Sequence, residues 1–169
     1  MDKTTLLIIW HSRTGASRQL AQAALEGARE AFTALEVNAT HQVIMTPCSA
    51  VSLEQLSHAQ AFIFCAPENL AALSGEMKAF FDRYYYAVQE QLNGRPYAAI
   101  ISAGSDGQQA LKQLQRICTG WRLDEAWPAY ICMLGAQTAK QIWAPKRLDK
   151  EQTAPAHETG ANLAARISL

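Results

Sequence analysis

The chain has 169 residues, 49% of them hydrophobic and 18% charged, a composition that argues against a disordered chain and suits one compact domain over residues 1–169. Its 15 basic and 15 acidic side chains cancel. No broad field is left to draw in nucleic acid or an anionic membrane, so the expected partners are small molecules. The apolar run from Leu6 to Trp10 is too short to span a bilayer, and Asp2 and Lys3 do not open a secretory leader, so the expected compartment is cytoplasmic. Cys48, Cys65, Cys118 and Cys132 form no CxxC pair, and three of them lie in apolar segments as reduced structural thiols. His11, His41, His58 and His157 lack the spacing of a zinc site, so no metal is expected.

In chain order, Thr4 to Trp10 reads as a strand buried on both faces of a parallel sheet. Leu20, Ala24, Ala28, Ala31, Phe32 and Leu35 then recur near the period of a helix with one packed face. A weaker strand, His41 to Met45, and a short helix near Ser52 to Leu56 lead to a second apolar run, Ala59 to Cys65, that stops at Ala66 and Pro67. Ser74 is placed to cap a helix with Met77, Phe80, Phe81, Tyr84 and Val88 on its buried stripe. Asn93 and Gly94 mark a turn before a third apolar strand, Tyr97 to Ser102. A helix carrying Ala110, Leu111, Leu114 and Ile117 follows, with Gly120 as its terminating residue. A last strand near Ala129 to Leu134 and a closing helix begun near Pro155 complete the order.

Strands alternating with helices predict a doubly wound, five-stranded parallel sheet in a three-layer α/β/α arrangement, with ligands beyond the C-terminal strand ends. Three loops leave those ends: His11 to Ser17, Ala66 to Ser74 and Ala103 to Gly107. The first combines Ser12, Arg13, Thr14, Gly15, Ala16 and Ser17 where a strand turns into a helix. The unpartnered amides and positive dipole end of a helix start make that an anion site, and Gly15 lets the backbone close around a phosphate. Plain helix capping by Ser12, Thr14 and Ser17 is the competing reading. GxxxxGK[ST] and GxGxxG are both absent, and the first and third strands end in Trp10 and Cys65 rather than in a phosphorylatable carboxylate.

The segment WHSRTGASRQLA, Trp10 to Ala21, resembles the phosphate loop of the flavodoxin-like superfamily that includes the NAD(P)H-dependent FMN reductases and quinone oxidoreductases. APENLAALSGEMKAFFDR, Ala66 to Arg83, is similar to the loop and helix after that family's third strand, and AAIISAGSDG to its fourth strand. The segment from Trp121 to Leu148 carries no motif of the family. The resemblance implies a flavodoxin-like fold with FMN as cofactor, NADPH or NADH as co-substrate and a homo-oligomeric assembly. It further implies that Ser12, Thr14, Gly15, Ala16 and Ser17 hold the phosphate, with Arg13 or Arg18 adding charge and His11 beside them as a candidate donor to flavin or substrate, while Pro67, Glu68, Asn69 and Leu70 run along the flavin ring. Ser102, Ala103, Gly104, Ser105 and Asp106 form the other wall. No catalytic side chain is expected, because the flavin carries the chemistry.

The leading expectation is therefore an FMN-dependent oxidoreductase that passes reducing equivalents from NAD(P)H to a quinone or another small acceptor. The alternatives are a non-enzymatic electron carrier and a flavodoxin-like domain with weak or lost flavin binding. Tyr84, Tyr85 and Tyr86 read as packing against the core or a dimer surface. Trp143, Pro145, Lys146 and Arg147 read as a structured surface loop, with closure over a pyridine nucleotide as the other option.

Overall fold

The computed structural model describes residues 3–169; Asp2, read above with Lys3, lies outside them. The elements are β1 (Thr4–Trp10), α1 (Ala16–Ala34), β2 (His41–Pro47), α2 (Leu53–His58), β3 (Ala61–Asn69), β4 (Ala72–Leu73) and α3 (Gly75–Tyr84). The second half holds β5 (Pro96–Ala103), α4 (Gln108–Gly120), β6 (Asp124–Glu125), β7 (Tyr130–Met133), α5 (Ala139–Trp143) and α6 (Lys150–Arg166). β2, β1, β3 and β5 lie side by side in parallel, and β6 and β7 share the fifth position as two pieces paired to β5. Pro128 lies in the break between them, where its missing N–H would interrupt a ladder.

The two faces of the sheet are sorted by alternation along each strand. Leu7, Ile9, Phe62, Phe64, Tyr97 and Ile101 face a core closed by α3 and α4. Leu6, Ile8, Ile63, Cys65 and Ile100 face a second core closed by α1 and α6. This is the five-position parallel sheet expected from the sequence, in a flavodoxin-like fold. The chain steps from β1 outward to β2 and then back across β1 to β3. That reversal opens a crevice above the C-terminal ends of β1 and β3.

Several boundaries differ from the sequence expectation. β3 continues past Pro67 because Glu68 and Asn69 pair with Leu73 and Ala72 in an antiparallel hairpin. α3 stops at Tyr84, yet Val88 is still fully buried, its N–H donating to the Tyr84 carbonyl at 3.1 Å. Leu35 is exposed and lies just past α1 as its C-cap. α4 runs through Gly120, and the left-handed residue that ends it is Arg122 at φ 56°. Trp121 fixes that end by packing against Phe80 and Phe81, with ring centroids 6.0 and 5.0 Å away. α6 starts at Lys150, since Asp149 caps the Gln152 amide at 2.8 Å, and Pro155 sits inside the helix.

The tyrosine run is packing for the most part: Tyr84 donates to the Val51 carbonyl at 2.6 Å, and Tyr85 lies against Gly120. Tyr86 is exposed. All four cysteines are buried free thiols. Among the described residues, no helix is long and apolar enough to cross a membrane.

α1 and α6 meet backbone to backbone through two glycines. A Cβ on Gly160 would lie 1.9 Å from the Ala24 carbonyl oxygen, and one on Gly27 would lie 2.0 Å from the His157 carbonyl oxygen. Gly160→Ala should therefore force the helices apart and destabilise the protein by about 2 kcal/mol or more. A thermal melt should show its midpoint lowered by roughly 5 °C; an unchanged midpoint would mean that the helix pair adjusts freely.

Candidate functional site

The loop after β1 carries the densest set of polar backbone groups above the crevice. Gly15 is the N-cap of α1 at φ 97°, a left-handed conformation that a side chain would strain. The Ser12 hydroxyl accepts from the Gly15 amide at 3.0 Å, which bends the loop back on itself. No side chain caps the helix and its first turn holds no acid. The amides of Ala16, Ser17 and Arg18 consequently have no acceptor among the described residues. Three unpartnered donors at a helix N-terminus, behind a left-handed glycine, fit a phosphate group.

Ser17 is buried, and its hydroxyl lies 2.8 Å from that of Ser102 near the end of β5. Two hydroxyls hold two protons and their mutual bond uses one, so the pair keeps one to donate.

The β3–β4 hairpin forms the second wall. Its two tip residues, Leu70 and Ala71, have φ of 51° and 59°, and Leu70 is fully exposed. Positive φ at both positions is the type I′ hairpin turn, usually built with Asn or Gly, so this tip is strained. It is held because Ser74 donates its amide to the Pro67 carbonyl at 3.1 Å and Leu73 donates to the Gln113 side chain at 2.8 Å.

A cleft of about 500 Å³ lies between this hairpin, the start of α3 and Arg13, lined also by Leu73, Gly75 and Glu76. His11 borders Glu76: its Nδ1 is 2.9 Å from the buried Ser74 hydroxyl and its Nε2 is 3.6 Å from the Glu76 carboxylate. Burial lowers the His11 pKa, against the pull of Glu76, and Arg13 lowers it further.

A third element covers the side of the 11–17 loop. Beyond β7, residues 134–148 form a strap that first follows β5, with Leu134 donating to the Ala103 carbonyl at 2.8 Å and Ala136 to that of Gly104 at 3.1 Å. The strap then makes the short helix α5 and returns over the loop. Lys146 donates its amide to the Thr14 carbonyl at 2.7 Å. The Gln19 side chain bridges the Gly15 and Lys146 carbonyls at 2.9 and 2.8 Å and accepts from the Leu148 amide at 3.0 Å. The Arg13 guanidinium rests 5.3 Å from the centre of the Trp143 ring.

With this geometry in place, comparison with known proteins assigns the family. The family described as NADPH-dependent FMN reductase matches residues 5–126, well over half of the 169. The chain belongs to this family. Residues 5–126 are therefore a domain of an FMN-binding, flavodoxin-like oxidoreductase family. No curated protein matches.

Among solved structures, a flavodoxin from the domain Archaea superposes with TM-score 0.73 at 15% identity, covering 98% of this chain and 100% of that one. A flavodoxin, WrbA-like protein from Agrobacterium tumefaciens gives TM-score 0.69 at 16% identity, covering 98% of each. Rubredoxin oxygen:oxidoreductase from Desulfovibrio gigas gives 0.75 at 14% identity, where this chain spans 99% of itself but only 37% of that protein. These identities speak for the fold alone.

Of the residues singled out from sequence, the FMN reductase fold brings the whole 11–17 loop, the 67–70 hairpin and the 102–106 segment to the C-terminal edge of the sheet. Within the last segment Ser102 and Ala103 are buried in β5, whereas Ser105 and Asp106 are exposed at its end. Sequence reasoning missed Gln19, Ser74, Glu76 and Lys146 as partners of the loop. A signal for the strap existed: Thr138 with Gln141 and Asp149 with Gln152 both form capping boxes, the spacing that announces a helix start.

Gln19→Ala should loosen the strap, so the Lys146 and Leu148 amides should exchange with solvent at least about tenfold faster; unchanged exchange would show that other contacts hold it. His11, with its pKa below 6.5, binds fewer protons folded than unfolded. Its contribution to stability is complete above pH 6.5 and is lost as pH falls through the folded pKa. Urea unfolding between about pH 5 and pH 8 should show this acid-side loss, and His11→Gln should reduce it.

Proposed function

We propose that the protein is an FMN-dependent oxidoreductase that uses NADPH or NADH to reduce a small acceptor such as a quinone or a nitro compound. The three unpartnered amides behind Gly15 carry this reading, because they match a phosphate on a single point of attachment. When bound, FMN supplies the redox chemistry, taking a hydride equivalent from the nicotinamide and returning two electrons to the acceptor.

The chain's own groups bind and orient. The amides of Ala16, Ser17 and Arg18 donate to phosphate oxygens, with the spare proton of the Ser17–Ser102 pair as a further donor. Ser12 holds the Gly15 amide away from the phosphate and so shapes the cradle. Arg13 adds positive charge at its edge. Pro67, Glu68, Asn69 and Leu70 form the wall on the hairpin side, with Leu70 fully exposed at its tip. Gly104, Ser105 and Asp106 form the opposite wall, while Ser102 acts through Ser17. His11, turned toward Ser74 and Glu76, sets the polarity of the cleft beside Arg13.

Charge-assisted hydrogen bonds of this kind are worth about 1.5–3 kcal/mol each, so the phosphate should dominate affinity. The protein should bind FMN at least about tenfold more tightly than riboflavin. Gly15→Val should remove that preference, since a branched side chain cannot adopt the required φ. Equal affinity for FMN and riboflavin in a fluorescence titration would overturn the phosphate assignment. Anaerobic addition of NADPH or NADH to the FMN-loaded protein should then bleach the flavin in one two-electron step. Tight FMN that both nicotinamides leave oxidised would point instead to a one-electron carrier.

A further inference from the structure

We propose that the outer face of the strap and phosphate loop is a docking surface for an acidic protein. Residues 126–148 contain no Asp or Glu, but they carry Lys140, Lys146 and Arg147; residues 11–25 are likewise free of acids and carry Arg13 and Arg18. The hydrogen bonds from Lys146 to Thr14 and from Gln19 to Lys146 bring these two acid-free segments together. A chain with no net charge thus gathers five cations at one place. Among the described residues, none of the five is within ion-pair distance of a carboxylate. Of the acids nearby, Glu76 lies beside His11 and Asp149 caps α6, while Glu68 and Asp106 stand on the hairpin and β5 walls of the crevice.

Large exposed apolar side chains lie beside Arg13 and on the strap. Trp143 is 63% exposed and Ile142 is 49% exposed on α5, and the fully exposed Leu70 lines the same cleft as Arg13. An apolar centre rich in Trp and Arg with a charged rim is the pattern of a protein-binding hot spot.

Charge decides the occupant. A symmetric contact between two copies through this face would set the cations of one copy against those of the other, which is repulsive. Five cations and exposed apolar side chains instead complement an acidic protein surface with an exposed apolar residue. The inference goes beyond a small-molecule acceptor and stands whichever nicotinamide, if any, is the electron donor.

The test is direct binding of the full-length protein to an immobilised acidic [2Fe–2S] ferredoxin as probe, measured from low to physiological salt. Wild type should bind at low salt and weaken steeply as salt rises. Lys140→Glu with Arg147→Glu should weaken binding at least about tenfold and flatten the salt dependence. Trp143→Ala should weaken it by a similar factor with the salt dependence kept. The control is Lys112→Glu with Arg116→Glu, the same charge change on the exposed side of α4, across the sheet from α1; it should leave affinity within about twofold. All variants should melt within a few degrees of wild type.

Loss of binding in the α4 control as large as in the strap variant would reduce the effect to net charge and overturn the proposal. Absence of wild-type binding at low salt would overturn it as well. So would tighter binding to duplex DNA than to the acidic protein. FMN affinity, measured separately, reports on the phosphate assignment and does not enter this result.

Discussion

A parallel sheet buried on both faces can admit few unpaired polar groups, and the rest of this structure is arranged around that constraint. β1, β3 and β5 are packed on one side by α3 and α4 and on the other by α1 and α6, so their side chains are almost entirely apolar. Polar chemistry is displaced to the strand ends. Because the chain reverses direction between β1 and β3, the loops above those ends part and leave a crevice, and the start of α1 points its free amides there. The backbone contact of α1 with α6 through Gly27 and Gly160 holds that helix against the sheet, with its first turn beside the end of β5.

The strap gives the loop after β1 a second set of supports. Its backbone takes up the Thr14 carbonyl, and Gln19 spans from the loop to the strap. Lys146 contributes its main chain to this contact, while its ammonium group caps the end of α5 by donating to the carbonyls of Gln141, Ile142 and Ala144. One residue therefore ties helix, strap and loop together. The side chains left over, Trp143, Ile142 and Arg147, have no such work inside the fold and face outward.

The hairpin tip shows the opposite arrangement, where the fold holds a strained segment in place. Leu70 and Ala71 in left-handed conformations cost about 1–2 kcal/mol each. Neither side chain recovers that cost, since Leu70 is fully in solvent. The ladder of β3 with β4 and the Gln113 side chain fix the turn, so a bare leucine stands at the edge of the cleft. Strain of this sort gathers at sites of ligand contact.

The family domain, the order of strands and helices and the glycine-and-hydroxyl loop after β1 were legible in the amino-acid sequence because each depends on neighbours in the chain. Two-faced apolar runs mark β1, β3 and β5, and a helical period marks α1 and α4. A glycine among hydroxyls where strand turns into helix marks the start of α1. The sequence could not show that Ser17 is paired with Ser102, 85 positions away, or that Gln19 reaches Lys146 and Leu148 across 127 and 129 positions. It likewise could not show that a strand would continue past Pro67 into a hairpin whose tip has no Asn or Gly. Those contacts arise only when distant segments pack, since a hydroxyl, an amide or a carbonyl carries no local mark of its eventual partner. The tertiary structure alone decided what closes the loop, which cations stand together and which apolar side chains remain outside.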